Sequence, residues 1–109
     1  MRLESKNAVK YAAIDAATSG DNEIVAAVSG KRIRVISCFM IAAGAVNVRF
    51  ESGAGGTALT GQMNLTTNSG FTLNENNSGW LETASGAALN LELSGAVSVD
   101  GCLSYIEIV

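Results

Sequence analysis

The chain of 109 residues contains no proline and no histidine, and it has only two cysteines, Cys38 and Cys102. Without proline, nearly every residue has a backbone N–H that can join a sheet ladder. Without histidine, a Ser-His-Asp or Cys-His catalytic arrangement is excluded, and the commonest metal ligand is missing. Two cysteines are too few for a zinc cluster or a disulfide framework. We therefore expect a protein that is not an enzyme and that has no metal and no cofactor.

Basic residues are missing from the second half of the chain. All seven precede position 50, whereas from Glu51 onward the chain has six acidic residues and no base. The second half can therefore pair its charges only with the first half or with another molecule. Two interpretations stay open, a merely asymmetric surface and a complementary subunit interface or basic docking patch. A net charge of −3 does not favour nucleic acid as a partner.

Long apolar runs are also absent. No segment approaches the roughly 18 apolar residues that span a membrane, and the polar start of the chain has no apolar segment typical of a signal peptide. We expect synthesis in the cytoplasm and no membrane partner. In that compartment Cys38 and Cys102 are expected to be buried free thiols, while a bridge between them is left open.

Residues that favour turns recur along the whole chain. Each Ser-Gly dipeptide supplies a glycine that adopts positive φ without strain and a serine that bonds nearby backbone. There are seven: Ser19-Gly20, Ser29-Gly30, Ser52-Gly53, Ser69-Gly70, Ser78-Gly79, Ser85-Gly86 and Ser94-Gly95. The spacing predicts an all-β chain, an antiparallel β-sandwich of eight to nine strands similar to a jelly roll. An immunoglobulin-like order and an up-and-down barrel stay open.

Alternation of apolar and polar residues places the strands between these turns. The domain is expected to cover residues 8–109, after a flexible arm at 1–7. The segments at 31–43 and 45–52 are expected to form a hairpin, and the C-terminus is expected to be tied into a sheet. Predicted strands are 9–14, 22–28, 31–43, 45–52, 57–66 with a kink at Gly61, 70–73, 80–83, 87–94, and 97–109 with a bulge at Asp100-Gly101.

Candidate partner-binding residues are the basic side chains of the first half and the single tryptophan. Trp80 follows the polar loop at 74–78 and could stack on a sugar, or fill one end of the sandwich or a subunit interface. The predicted partner-binding residues are Arg2, Lys6, Lys10, Arg32, Arg34 and Trp80.

Five segments carry a resemblance to a known group of proteins: 30–35, 48–53, 79–86, 88–95 and 101–107. In these segments the chain resembles small β-sandwich virion proteins of tailed bacteriophages, which include capsid decoration or cement proteins and head-fibre proteins. The resemblance identifies no catalytic residue.

This resemblance implies a capsid decoration protein that binds the outer surface of a phage head as a homotrimer and stabilises it. The implied partners are further copies of the chain and the major capsid protein, and the implied location is the virion. Residues 1–7 would reach a neighbouring subunit or the capsid. The alternative is a receptor- or glycan-binding fibre or tail module, in which Trp80 and the 74–78 loop would meet the glycan.

Overall fold

The computed structural model describes residues 8–53 and 55–109. The predicted arm at 1–7 lies outside these residues. No helix within the two described ranges is long and apolar enough to cross a membrane. The strands in these ranges are β1 (Lys10–Ala16), β2 (Gly20–Val25), β3 (Arg32–Ala42), β4 (Val46–Ser52), β5 (Thr57–Ala58), β6 (Met63–Leu65), β7 (Gly70–Leu73), β8 (Leu81–Glu82), β9 (Leu89–Leu93) and β10 (Val99–Ile108).

These strands form two antiparallel sheets that pack face to face, which confirms the predicted β-sandwich. Sheet A has the order β1-β10-β3-β7, and β8 also pairs with β3. Sheet B has the order β2-β9-β4-β5, and β6 also pairs with β4. The C-terminal strand is paired along its length, since its last pair joins Ile108 to Arg32.

The strand order is that of a jelly roll. The short strands β5 and β6 both pair with β4, and β7 and β8 both pair with β3, so each couple occupies one interrupted strand position. Counted in this way, the first strand pairs with the last, the second with the last but one, and so on inward. A long hairpin rolled up to make two sheets with Greek-key connections has this order. The interruptions explain why the described part of the chain has ten strands rather than eight or nine.

The predicted hairpin between the third and fourth strands is wrong. β3 belongs to sheet A and β4 to sheet B, and the two do not pair. Each strand buries one apolar face, with Met40 and Ala42 on β3 and Val46 and Val48 on β4. Since the short turn at 43–45 crosses between the sheets, these faces meet across the core instead of lying side by side.

The bulge predicted at Asp100-Gly101 is also wrong. Both residues pair in regular register with β3, and the register shift lies further along, between Ser104 and Tyr105. There Ile36 is the extra residue, because Ser37 pairs with Ser104 while Val35 pairs with Tyr105. A one-residue bulge changes which side chains face the core.

This bulge divides β3 into two halves that differ in whether odd- or even-numbered residues face the core. Before it, the odd-numbered Ile33 and Val35 are buried in the core. After it, the even-numbered residues are buried, and Phe39 and Ile41 point to the outside. The core between the sheets is formed by inward side chains of both: Ile14, Ala16, Val25, Ile33, Val35, Cys38, Met40, Ala42, Val46, Val48, Phe50, Leu65, Leu89, Leu91, Leu93, Val99 and Leu103.

The two cysteines lie on adjacent strands but on opposite faces of sheet A. Cys38 is buried in the core and pairs with Leu103, whereas Cys102 pairs with the exposed Phe39. Both are free thiols. Since neighbouring residues of a strand point to opposite faces, the two sulfur atoms do not approach each other for a bridge.

We expect Gly101→Ala to lower the free energy of unfolding by about 3 kcal/mol. The added Cβ would lie 1.9 Å from the backbone oxygen of Phe39, so the ladder between β10 and β3 would have to separate locally. A loss of that size corresponds to a fall in Tm of about 13 °C. The control is Gly95→Ala, whose added Cβ has nothing within 4 Å. Equal melting temperatures of the two variants by circular dichroism would contradict the close pairing at Gly101.

We expect the two thiols to differ sharply in reactivity in the native protein. Burial raises the pKa of the Cys38 thiol to about 12, with a further contribution from Cys102. The reactive thiolate of Cys38 is therefore scarce at neutral pH, and its side chain is shielded from reagents. With a maleimide monitored by mass spectrometry, the native chain should take one label, and a second only after unfolding. In Cys102→Ser, rapid labelling of the native chain would contradict this placement of Cys38.

Candidate assembly surface

The outer face of sheet A carries large apolar side chains where an isolated sandwich usually presents polar ones. Tyr11 of β1 is 74% exposed, and Phe39 and Ile41 of β3 are 54% and 52% exposed. All three lie on strands of one sheet and point away from the core. We call the face that bears these three residues the apolar face.

The register of sheet A shows how the apolar face is built. Phe39 lies in a row that runs across all four strands, from β1 to β7. Ile41 and Tyr11 lie in the rows on either side of it. The three rows are Ala13–Cys102–Phe39–Thr72, Asp15–Asp100–Ile41–Gly70 and Tyr11–Ser104–Ser37.

Phe39 and Ile41 lie on an interior strand, which is paired on both sides by β10 and β7. Their positions are therefore held by backbone hydrogen bonds on both edges of β3. A partner would meet a preformed surface, and little conformational entropy would be lost on binding.

Polar groups border the apolar face at both ends. Asp15 and Asp100 lie directly opposite each other on β1 and β10, and both are exposed. Like charges in this position are unfavourable for the strand pair. On the other side, Ser37 and Ser104 form a hydroxyl–hydroxyl hydrogen bond across β3 and β10. The face thus has an apolar centre with an acidic border at one end.

The described basic residues that were predicted to bind a partner form ion pairs with acidic residues of sheet A. Lys10 lies on β1, and its Nζ is 3.1 Å from a carboxylate oxygen of Glu107 on β10. Arg2 and Lys6 lie outside the described residues, so their role stays a prediction. Lys10 makes an exposed ion pair of the kind that contributes little to stability.

Arg32 and Arg34 both bind Glu82 of β8. Arg34 Nε lies 2.8 Å from one carboxylate oxygen, and an Arg32 nitrogen lies 3.4 Å from the other. These contacts join a base of the first half of the chain to an acid of the second half, as the uneven charge distribution allows. A role for the two arginines in binding a partner also stays a prediction.

Trp80 lies at the mouth of a cleft between the two sheets and is 48% exposed. Its indole N–H donates a hydrogen bond of 2.8 Å to the carbonyl oxygen of Asn74, and its backbone N–H donates to Val35. The cleft has a volume of about 450 Å³. Its lining is almost wholly apolar: Phe50, Thr60, Met63, Leu65, Gly70, Phe71, Leu73, Trp80 and Leu81.

The chemistry of this cleft is that of an apolar contact rather than of sugar recognition. Thr60 supplies the one side-chain hydroxyl in the lining, and its Oγ1 already accepts a hydrogen bond from Phe50 N and donates to Gly61 O. In the 74–78 loop, the Asn76 side chain is engaged with Gly79 and Ser78, and the Asn74 carbonyl oxygen accepts a hydrogen bond from the indole N–H of Trp80.

Sequence reasoning identified Trp80 as a candidate but missed Tyr11, Phe39 and Ile41. The segment 38–41 is apolar at every position, so alternation does not show which residues face inward. What places Phe39 and Ile41 outside is the bulge at Ile36, after which the even-numbered residues of β3 face the core. This bulge arises from the pairing of β3 with β10, so it cannot be read from the sequence of β3 alone.

No protein-family model matches this chain, and no curated protein matches it. Among solved structures, the chain is similar to one from Bacillus endospore appendages, which form a family of disulfide-linked pili. The identity is 14%, the TM-score is 0.54, and the alignment covers 100% of this chain and 95% of that chain. At this identity the likeness concerns the fold alone, and it extends over the whole sandwich.

Proposed function

We propose that the chain is a structural protein of a virion, a capsid decoration protein that binds the outer surface of a phage head as a homotrimer and stabilises it. The observation that carries the proposal is the apolar face, with Tyr11, Phe39 and Ile41 exposed together on one sheet. The sequence resemblance to small virion proteins is the reason for proposing a phage head as the particle.

The apolar face supports the assembly step of this proposal. Contiguous exposed apolar surface with a polar border is typical of protein–protein interaction sites. Aromatic side chains at such sites contribute much of the binding free energy. A partner that covers Tyr11 and Phe39 and places a basic group near Asp15 and Asp100 would also relieve the repulsion between these two carboxylates.

Two further features support a structural role. The jelly roll interrupts one edge of each sheet, where β7 and β8 or β5 and β6 take the place of a continuous strand, and this limits uncontrolled pairing at those edges. The similar chain of the Bacillus endospore appendages comes from a pilus, so the same fold serves elsewhere in an assembled structure. On a particle with many equivalent sites, the three subunits of a trimer would each make a weak contact, and multivalency would raise the overall affinity.

The second candidate is a receptor- or glycan-binding module of a fibre or tail. The half-exposed Trp80 favours it, because tryptophan faces can stack on sugars. The apolar lining of the adjacent cleft and the engaged indole N–H weigh against it. We therefore place decoration first.

We expect the wild-type chain to sediment as a trimer and the double variant Phe39→Ser/Ile41→Ser to sediment as a monomer. Both side chains are exposed, so the substitutions should remove the contact while leaving the fold of each subunit intact by circular dichroism. Val28→Ser is the matched control, since Val28 is an exposed apolar residue outside sheet A. A wild-type chain that is monomeric at micromolar concentration, or a double variant that stays trimeric, would contradict the proposed interface.

We expect purified wild-type protein to bind phage heads that lack it and to raise the temperature at which those heads release their DNA. Cosedimentation and a dye-release assay measure the two effects. The Phe39→Ser/Ile41→Ser variant should bind more weakly, because multivalency is lost with the trimer. If the wild-type chain does not bind heads but binds a glycan array, and Trp80→Ala abolishes that signal, the fibre or tail function replaces decoration.

A further inference from the structure

Three acidic side chains converge on the outer face of sheet B, on the opposite side of the sandwich from the apolar face. Asp21 lies on β2, Glu92 on β9 and Glu51 on β4. Asp21 and Glu92 are directly paired across β2 and β9. One carboxylate oxygen from each of the three lies within 4.8 Å of the other two. We call these three residues the acidic cluster.

Glu51 is unusual among them because it is only 1% exposed, although its position on β4 faces away from the core. Its Oε1 is buried and has no hydrogen-bond partner among the described residues, and the same holds for Asp21 Oδ1. Burial of a carboxylate oxygen without a partner is costly, so buried charges are normally paired or coordinate a metal. Two such oxygens in one cluster would be compensated either by a proton shared between them or by a bound cation.

Arg49 supplies part of the compensating charge but leaves these two oxygens free. Its guanidinium lies 2.7 Å from Glu51 Oε2 and 2.8 Å from Glu92 Oε1. The guanidinium thus binds one oxygen of Glu51 and one of Glu92, and it makes no hydrogen bond to Glu51 Oε1 or Asp21 Oδ1. Three carboxylates and one guanidinium leave an excess of two negative charges when all are ionised.

Asp21 is held in the cluster by a backbone hydrogen bond. Its Oδ2 accepts a hydrogen bond from the backbone N–H of Gly55, in the loop that follows β4. Burial raises the pKa of Glu51, and the hydrogen bond from Arg49 lowers it. A side-chain hydrogen bond with Asp21 and the negative charges of Asp21 and Glu92 raise it again, with a net upward direction. The carboxyl groups of Asp21 and Glu51 therefore lie close enough to interact directly.

We propose that Asp21, Glu51 and Glu92 bind one divalent cation of the calcium class. Ca²⁺ prefers carboxylate and carbonyl oxygens at roughly 2.3–2.6 Å in a flexible geometry. Oxygens at that distance from one ion lie within about 5 Å of each other, as they do here. One divalent charge would neutralise the excess, and the two oxygens without partners would become ligands. Mg²⁺, which demands a nearly regular octahedron and keeps its waters, suits this crowded one-sided site less well.

The sequence could not show this site, because its ligands are separated by tens of residues. In addition, Glu51 lies two residues after Arg49, which in the sequence indicates an ion pair rather than a metal ligand. The binding step is independent of the proposed virion function, since the cluster belongs to a single chain and lies on the other sheet from the apolar face.

The test uses the full chain freed of metal by EDTA and titrated with CaCl₂ by calorimetry, together with thermal unfolding. We expect one site per chain, and a rise in Tm of about 10 °C at a Ca²⁺ concentration about 100 times Kd. MgCl₂ should give a smaller rise at the same concentration. No heat beyond dilution and no change in Tm with either salt would overturn the proposal.

Isosteric variants locate the site. Asp21→Asn and Glu51→Gln should each reduce Ca²⁺ affinity at least tenfold and abolish most of the rise in Tm. Glu82→Gln is the matched control, because Glu82 also pairs with arginine but lies on sheet A; its Ca²⁺ response should equal that of the wild type. If Asp21→Asn fails to fold, Glu51→Gln and the wild-type titration still decide. An unchanged Ca²⁺ response in the cluster variants would place the ion elsewhere and overturn the proposal.

Discussion

The antiparallel ladder between β3 and β10 is the interaction on which the rest of sheet A depends. These are the two longest strands, and they lie side by side at the centre of the sheet. Within residues 8–53 and 55–109, β1 pairs only with β10, and β7 and β8 pair with β3, so the other strands of the sheet are placed by this ladder. Its one irregularity is the bulge at Ile36. This bulge decides that Cys38 and Met40 face the core, while Phe39 and Ile41 face outward. Without that extra residue, Phe39 and Ile41 would share the inward parity of Ile33 and Val35.

The two outer faces of the sandwich consequently have different chemistry. The face of sheet A presents aromatic and aliphatic side chains, whereas the face of sheet B presents Asp21, Glu92 and the Arg49–Glu51 pair. A rigid sandwich with one apolar face suits a protein that acts by attachment, since the partner meets a preformed surface. A cation on the opposite face would stabilise the same sandwich without occupying the apolar face. The two proposals thus describe separate surfaces of one domain.

Much of the architecture could be predicted from local pattern. The Ser-Gly turns bound most strands, Gly61 separates β5 from β6, and the alternation in 87–94 identifies β9. The hairpin at 31–52 was predicted wrongly because a short turn between two half-apolar strands is equally compatible with pairing and with a crossing between sheets. The bulge was misplaced because glycine is a common bulge residue. Gly101 instead allows the close approach of the Phe39 carbonyl. Of the candidate sites, Trp80 could be named in advance, but the apolar face could not.

The sequence by itself determined the class of fold, through turn residues and period-two alternation, and it excluded histidine-based chemistry by composition. These properties are local, so they can be seen in one strand at a time. Tertiary structure decided which strands are neighbours, where the parity of β3 changes, and which acids meet. Those outcomes depend on pairing between residues far apart in the chain, such as Ser37 with Ser104 and Asp21 with Glu92. Because a one-residue shift in register exchanges the two faces of a strand, local pattern cannot place Phe39 on the surface, whereas the β3–β10 ladder can.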